Sequence, residues 1–558
     1  MAKNKKFLFL AAFLVFALLV VLVACGDDNG GAADNGDDDN GEVVEADPVD
    51  EDGDDNGEEP DPAPAGGVGV SGVPDELVVG FQGEIPTLDP HGQNMLVATH
   101  VNRHVLETLV TQDENLEIHP NLARDWYQID DYNWRFYLRD DVYFHNGDKM
   151  TAYDVAFSIT RAAEAPMVAP IMGMIDPDSI DIIDEYTVVI GTNYPFAPFL
   201  NHLAHSAGSI LNAAVMGDVP GGPETDFDLI VGTGPYQVIE NIAGDRIVME
   251  RWDDWHGELP NMRLITYRII PDPPARTIAL EVGEVDIIHA PGAPDIARLE
   301  SNPDLIVPIT PGLATNYILF NLERPGLDDV RVRQALNYAT DVPTLVYVIS
   351  EGTQIPSVGF VPPLAFGHNP NFEPHPYNLE RARELMIEAG FSGEEGAGDL
   401  AFEFIVNPEA PAGVQSAEIF ANMVARIGVD ITLNPMEFTT MIEDYLNESR
   451  HYIATLGWGT VTGDADYQFF PLFHSSSANN HARFFNDEAD ELIERARSST
   501  DPNERLELYA EIQEILRYEA PWVLLGNGNI RLPAQRNVGG IVVMPTQGHF
   551  YGNIYFTE

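Results

Sequence analysis

The body of this chain alternates apolar and polar side chains in short stretches that predict β-strands. In residues 133–139 the apolar side chains of Trp134, Phe136 and Leu138 take every second position, between arginines and a tyrosine. A period of two is typical of a strand with one face on a hydrophobic core. The sequence therefore predicts a strand here, and similar stretches predict strands over residues 264–270 and 316–321.

Two stretches in the C-terminal half have the period of amphipathic helices. Asn378 is a typical helix cap and Gly390 a typical helix stop. The apolar side chains between them share one helical face: Leu379, Ala382, Leu385, Met386 and Ala389. A second helix is predicted to begin at Asp501 and Pro502. Its predicted inward face consists of Leu506, Tyr509, Ile512 and Leu516. Since no solenoid repeat is present, alternating strands and helices predict a mixed α/β body.

The longest apolar run, residues 7–24, follows three lysines and ends at Cys25, the only cysteine of the chain. A basic start, an apolar centre and small residues before a cut site indicate a secretory signal peptide, residues 1–24. The last four positions, Leu22 to Cys25, look like a bacterial lipobox, in which the cysteine carries lipid after cleavage. An uncleaved membrane helix is the alternative, because the run approaches spanning length. We predict an extracytoplasmic protein, periplasmic or at the cell surface, that is anchored to the cell membrane through Cys25.

The distribution of acidic side chains supports an extracytoplasmic, membrane-anchored protein. Residues 27–61 hold 17 acidic side chains, and such a segment cannot bury enough apolar surface to fold, so residues 25–72 are predicted to form a disordered tether. The formal net charge of the whole chain is −60. A field of this sign excludes nucleic acid as a partner. It suggests life in high salt, where repulsion between surface carboxylates is screened.

The remaining residues, from Val73 onward, are too many for one core and predict two or three lobes. An enzyme is disfavoured, because the body contains neither a Gly-x-Ser-x-Gly nor a His-Glu-x-x-His motif and has no cysteine. Two histidine pairs, His100 with His104 and His202 with His205, have the helical spacing of metal ligands. No third ligand is evident in the sequence, so we predict no catalytic residue, metal or cofactor.

Several motifs follow one another in the order of a known family. Residues 144–161 read FHNGDKMTAYDVAFSITR, a turn followed by a helix that Thr151 can cap. Further motifs are IPTLDP at 85–90, GTGPY at 232–236, ALEVGEVD at 279–286 and NLERPGLDDVRVRQALNYATD at 321–341. GW at 457–458, GDAD at 463–466 and EAPW at 519–522 complete the series. From about residue 77 to its end the chain resembles the family 5 extracellular solute-binding proteins, receptors of peptide and nickel ABC importers.

The resemblance implies a two-lobed, type II periplasmic-binding-protein-like clamp with an extra subdomain in lobe I. Carried onto this chain, lobe I takes residues 73–312 plus 530–558, and lobe II takes residues 313–529. The lobes are expected to close on a ligand by a hinge motion. The expected partners are an ABC permease and its ATPase, and the receptor is expected to be a monomer.

The last third of the chain is most similar to dipeptide-binding proteins, which implies peptide ligands, from di- to oligopeptides. Trp458, after Gly457, corresponds to a tryptophan that often lines the pocket, and Asn321 is a further candidate. The aspartate that pairs with a peptide amine is expected at Val461 and is therefore missing. Asp464 and Asp466 are candidate substitutes, with a capping or turn role as the alternative. Nickel, haem, another non-peptide solute, or an enzyme or sensor on this fold remain open alternatives.

Overall fold

The computed structural model describes residues 74–93, 95–217 and 227–557. The predicted signal peptide, the lipidation site Cys25 and the tether therefore lie outside the described residues. A membrane-crossing helix is not found in this described part of the chain, because none of its helices combines the necessary length with the necessary hydropathy.

Short strands are distributed along the whole described chain, as its alternating pattern predicts. The strands are β1 (Glu76–Phe81), β2 (Val110–Gln112), β3 (Ile118–Pro120), β4 (Ala123–Gln128), β5 (Asn133–Leu138), β6 (Asp181–Asp184), β7 (Thr187–Gly191), β8 (Tyr236–Ile242), β9 (Arg246–Arg251), β10 (Leu264–Ile269), β11 (Ile287–Ile288), β12 (Leu305–Ile306), β13 (Ile309–Phe320), β14 (Gln354–Pro356), β15 (Leu400–Val406), β16 (Val429–Pro435), β17 (Ile453–Gly459), β18 (Trp522–Arg531), β19 (Ala534–Gln535), β20 (Val538–Gly539) and β21 (Tyr555–Phe556). All three predicted strands are confirmed, as β5, β10 and β13.

Helices separate most of these strands. They are α1 (Leu96–Val105), α2 (Ala152–Glu164), α3 (Ala169–Met172), α4 (Phe199–Leu203), α5 (Ala213–Met216), α6 (Pro273–Glu281), α7 (Ile296–Ser301), α8 (Val330–Ala339), α9 (Val342–Ser350), α10 (Leu379–Glu388), α11 (Pro411–Val424), α12 (Phe438–Thr440, continuing into a π-helical turn, Met441–Leu446), α13 (Asp466–Phe473), α14 (Asp487–Ser498) and α15 (Pro502–Glu519). The two predicted C-terminal helices are confirmed as α10 and α15.

Capping side chains explain where the predicted helices begin. Thr151 and Asp154 form a reciprocal capping box at the start of α2, and Asn378 and Asp501 accept backbone N–H groups at the starts of α10 and α15. One predicted inward residue is wrong, because Leu506 is 40% exposed. The buried stripe of α15 runs through Arg505 and Leu508, a little around the helix from the predicted face.

The first sheet joins both ends of the described chain. Its strand order is β12-β19-β11-β1-β10-β9-β8, with β1 parallel to both β10 and β11. A smaller antiparallel sheet, β4-β5-β7-β6, carries helix α2 on one face. Phe136 of β5 and Val155 and Ile159 of α2 are fully buried in the core of this smaller unit.

The second large sheet has the order β14-β18-β13-β17-β15-β16. Its long strand β13 pairs with β17 on one side and with β18 on the other, both antiparallel. Pairing between β13 and β18 begins at Ile309 with Arg531, so the second sheet includes a few residues that the predicted boundaries, 312/313 and 529/530, assign to lobe I. The exact lobe boundaries stay a prediction.

Candidate ligand-binding site

A cavity of about 240 Å³ lies between the end of α1 and the loop that follows β17 of the second sheet. We call it the α1 cavity. Its walls include polar, aromatic and small residues from both ends of the chain: Thr99, Asn102, Arg103, Leu106, Glu107, Thr108, Thr111, Gln112, Asn121, Ala204, His205, Ser206, Ser209, Pro235, Trp255, Val461, Thr546, Gly548 and Phe550.

Helix α1 positions the polar wall of this cavity. Ala98, Val101 and Val105 pack into the core under the first sheet. Thr99 is three residues from Asn102 and four from Arg103, so these side chains share a second helical face, which lines the cavity. The helix therefore uses one face for stability and the other for a candidate binding surface.

Arg103 is a half-buried cation without an acidic partner. Its Nη2 donates a hydrogen bond to the backbone oxygen of Gln112, at 3.0 Å. None of the described carboxylates lies within ion-pair distance of its guanidinium, and burial lowers the pKa of Arg103. Gly548 leaves room for the side chain, because a Cβ there would lie 3.3 Å from Arg103 Cδ. A guanidinium that faces a cavity in this way can receive an anion.

Asn102 and Glu107 complete the polar wall. Asn102 is 1% exposed, and neither its amide nitrogen nor its amide oxygen has a hydrogen-bond partner among the described residues. Glu107 is the only carboxylate among the described residues that line the cavity. Its Oε2 lies 3.5 Å from Trp255 Nε1 and 3.6 Å from His256 Nε2, both long contacts. Glu107 therefore retains room to accept further hydrogen bonds.

Val461 is the predicted site residue that the structure places in the cavity wall. Two hydrogen bonds hold the loop that carries Val461. Gln112 Nε2 donates to the backbone oxygen of Thr462 at 2.9 Å, and Asn201 Nδ2 donates to the same oxygen at 3.4 Å. The second sheet thus contributes an apolar side chain at the position where an amine-binding aspartate was expected.

Asp464 and Asp466 lie outside the α1 cavity, in buried ion pairs. Asp464 Oδ1 accepts hydrogen bonds from Arg505 Nη2 at 2.8 Å and from the Tyr509 hydroxyl at 3.1 Å. Asp466 receives Nε and Nη2 of Arg497, at 3.1 and 3.2 Å. Asp464 and Arg505 also line a second cavity of about 490 Å³, but there the carboxylate is already neutralised by the arginine. This geometry favours the structural alternative for both aspartates.

The other predicted residues also lie away from the α1 cavity. Trp458 is half-buried on β17, and its Nε1 donates to the backbone oxygen of Tyr467 at 2.7 Å. A Cβ on the neighbouring Gly457 would lie 2.6 Å from Asn316 Oδ1, so close strand packing accounts for this glycine. Asn321 is fully buried, and its Nδ2 donates to the backbone oxygens of His451 and Ser449.

Three buried histidines, His100, His289 and His549, bring ring nitrogens within 4.8 Å of one another behind the α1 cavity. His549 Nδ1 accepts the backbone N–H of Met544, so the neutral ring carries its proton on Nε2 and offers no free lone pair. Burial lowers the pKa of His100 to about 3, which keeps that ring neutral too. The positive charges of Arg276 and Arg103, which act on His289 and His549, would repel a divalent cation at this position.

The remaining predicted histidines have local structural partners. His104 Nδ1 donates to the backbone oxygen of His100, at 2.8 Å. Its Nε2 accepts the backbone N–H of Tyr551, at 3.0 Å. His202 Nδ1 lies 2.6 Å from the backbone oxygen of Ile171, and His205 Nδ1 accepts the N–H of Ala207. Neither predicted pair converges on a shared ligand position.

Comparison with known proteins places this geometry in context. The family described as "Bacterial extracellular solute-binding proteins, family 5 Middle" matches residues 117–480. The chain is 29% identical over 464 residues to the dipeptide-binding protein of Escherichia coli strain K12, covering 78% of this chain and 86% of that protein. It is 31% identical over 465 residues to haem-binding protein A of Haemophilus influenzae, covering 78% and 84%.

A solved structure shows the same fold. The ABC transporter-associated periplasmic binding protein DppA from Helicobacter pylori, in complex with peptide STSA, superposes with a TM-score of 0.71 at 25% identity. The match covers 87% of this chain and 98% of that one. It confirms the predicted α/β, two-lobed, type II periplasmic-binding-protein fold.

Proposed function

Since the chain belongs to the bacterial extracellular solute-binding proteins of family 5, we propose that its ligands are peptides, captured in the α1 cavity and delivered to a membrane permease. As a member of this family, the protein is the solute-binding component of an ABC importer for peptides or related solutes, and not an enzyme.

One observation supports this placement most strongly. The α1 cavity has its polar wall on α1, while Val461 lines it from the loop after β17 of the second sheet. A ligand there would contact both lobes, which is what ligand-driven closure requires. Unpartnered amide atoms of Asn102 and the aromatic side chains of Trp255 and Phe550 suit the polar groups and apolar side chains of a short peptide.

Haem and nickel are the alternatives that the family leaves open, and one relative is a haem-binding protein. His205 is the only histidine among the described residues that line the cavity. Its Nδ1 already accepts the N–H of Ala207, so its neutral ring carries the proton on Nε2 and has no lone pair for a metal. We therefore favour peptides.

The predicted lobe boundaries and the membrane anchor belong to the same proposal. We infer that lobe I comprises residues 73–312 plus 530–558 and lobe II residues 313–529, and that a monomer is tethered through lipid on Cys25 to the extracytoplasmic face of the membrane. Replacing Cys25 with alanine should move the expressed chain from the membrane fraction to the soluble extracytoplasmic fraction. A variant that stays in the membrane fraction would favour the uncleaved helix instead.

Thermal unfolding of the full chain tests the ligand class. At a ligand concentration of about 100 times Kd, binding stabilises the folded state by about 2.7 kcal/mol. We expect the melting temperature to rise with mixtures of di- to pentapeptides and to stay unchanged with nickel, haem or sugars. A rise with haem or nickel and not with peptides would overturn the peptide proposal while leaving the receptor role intact.

A further inference from the structure

We propose that Arg103 binds the free carboxylate of the ligand and Glu107 its cationic end, so that the α1 cavity selects zwitterionic solutes through charges that both lie on lobe I. The inference rests on the proposed function and deepens it, because it assigns the two ends of the ligand to named residues. It also accounts for Val461, since an amine anchor on lobe II is then unnecessary.

The bonding of Arg103 differs from that of four other arginines whose side chains are largely buried. Arg505, Arg497 and Arg161 each pair with a carboxylate, at 2.8, 3.1 and 2.7 Å respectively. Arg276 has no described carboxylate partner, but its guanidinium donates to four backbone oxygens, those of Ile270, Pro271, His289 and Ala290. Every one of these cations is satisfied within the protein.

Among the described residues, Arg103 has one hydrogen-bond acceptor, the backbone oxygen of Gln112, although acidic side chains outnumber basic ones by 89 to 29 in the whole chain. A guanidinium has five N–H donors in a planar fork that matches a carboxylate. Leaving such a group half-buried and unpaired is costly unless a ligand completes it. Because Arg103 lies in the last turn of α1, the helix dipole stabilises its charge to some extent. That effect does not explain why its guanidinium lines the cavity.

Glu107 provides the opposite charge in the same wall. It does not neutralise Arg103, because no ion pair joins the two side chains in the described structure. One cation and one anion that line the same cavity without pairing make it neutral overall, which matches a zwitterion and disfavours a solute with a single net charge.

Asn102 lies next to Arg103 and lines the same wall. Its buried amide lacks partners for both its donor and its acceptor atoms. A peptide group presents one N–H and one C=O, which are the complementary groups. A dipeptide or tripeptide with free ends can therefore bond to the amide of Asn102 and to the remaining hydrogen-bonding capacity of Arg103 and Glu107 at once.

Competitive retention of peptides tests the assignment. The full chain is equilibrated with an equimolar library of di- to tetrapeptides in three matched forms: free, C-terminally amidated and N-acetylated. Retained peptides are quantified by mass spectrometry. We expect wild type to retain the free form over the amide by about tenfold or more, the scale of a charge-assisted hydrogen bond. Arg103→Gln should remove the preference for the carboxylate, and Glu107→Gln should remove the preference for the free amine.

Controls separate this role from a merely structural one. Arg103→Lys keeps the charge and should keep part of the carboxylate preference, and Arg268→Gln, at an exposed ion pair on β10, should change neither ratio. Equal retention of free and amidated peptides by wild type refutes the inference even if every Arg103 variant fails to fold. An unchanged ratio in folded Arg103→Gln also refutes it, while peptide binding as such stands. Retention of no form at all overturns the proposed function instead.

Discussion

Replacing Asp464 with asparagine separates a stabilising role for this residue from a ligand-binding role. Asp464 is 1% exposed, and its Oδ1 receives Arg505, Tyr509 and the backbone N–H of Asp466. Asparagine keeps an oxygen that can accept the hydrogen bonds but removes the charge, so the guanidinium of Arg505 stays buried without a counter-ion. Breaking a buried ion pair in this way costs about 3–5 kcal/mol. Because the acceptor survives, we expect a loss of about 3 kcal/mol, at the lower end of that range.

The assay is urea unfolding of wild type and variant, combined with a peptide dissociation constant measured on the folded variant. Glu323→Gln is the matched control, because its ion pair with Arg483 is on the surface and a loss below about 1 kcal/mol is expected there. We expect Asp464→Asn to lower the free energy of unfolding and to leave peptide affinity within about threefold of wild type, the usual result for a residue outside a binding site. Unchanged stability together with lost affinity for free-amine peptides would refute the reasoning and make Asp464 the amine anchor.

Three further outcomes follow from the same structure. Val461→Asp should restore an acidic side chain on lobe II and raise affinity for free-amine over N-acetylated peptides by about tenfold, measured by calorimetry; no change would mean that Val461 does not face the ligand. Burial lowers the pKa values of His91 and His100 to about 3 and of His104 and His451 to about 4, so these rings stay neutral in the folded state. The unfolded state takes up their protons below a pH of about 6.5, and stability should therefore fall by about 1.4 kcal/mol per pH unit for each ring as the pH drops from about 6.5 toward 4. A melting temperature that is constant between pH 7 and pH 5 would contradict this. With a net charge of −60, the melting temperature should also rise between low and molar salt, and a flat salt dependence would remove the high-salt interpretation.

Sequence patterns over a few residues were sufficient to predict individual strands and helices. Strand β5 follows from alternation and α10 from its cap and apolar stripe, because each is determined by neighbours a few residues apart. The prediction that Leu506 faces inward was wrong for an equally local reason. Spacing alone places a buried helical stripe only to within about one side chain, and the structure buries Arg505 and Leu508 instead.

The candidate site depended on contacts that no local pattern contains. Arg497 and Arg505 are 31 and 41 residues from the aspartates that they pair with, so the sequence alone left Asp466 and Asp464 open between binding and structure. In the sequence, no local signal marked Arg103 or Glu107 as a ligand-binding residue. What distinguishes Arg103 is its place in the cavity wall with one backbone acceptor and no acidic partner among the described residues, and only the folded chain reveals that. Val461 was identified through the resemblance and is the predicted residue that the structure places in the α1 cavity.

A crystal structure of the protein grown with the free-peptide library would test the central claim most directly. We expect peptide density in the α1 cavity, with its carboxylate in hydrogen-bonding contact with Arg103, its amine facing Glu107 and its side chain against Val461. Density for a peptide bound instead in the second cavity beside Asp464 and Arg505, with the α1 cavity empty, would contradict the account.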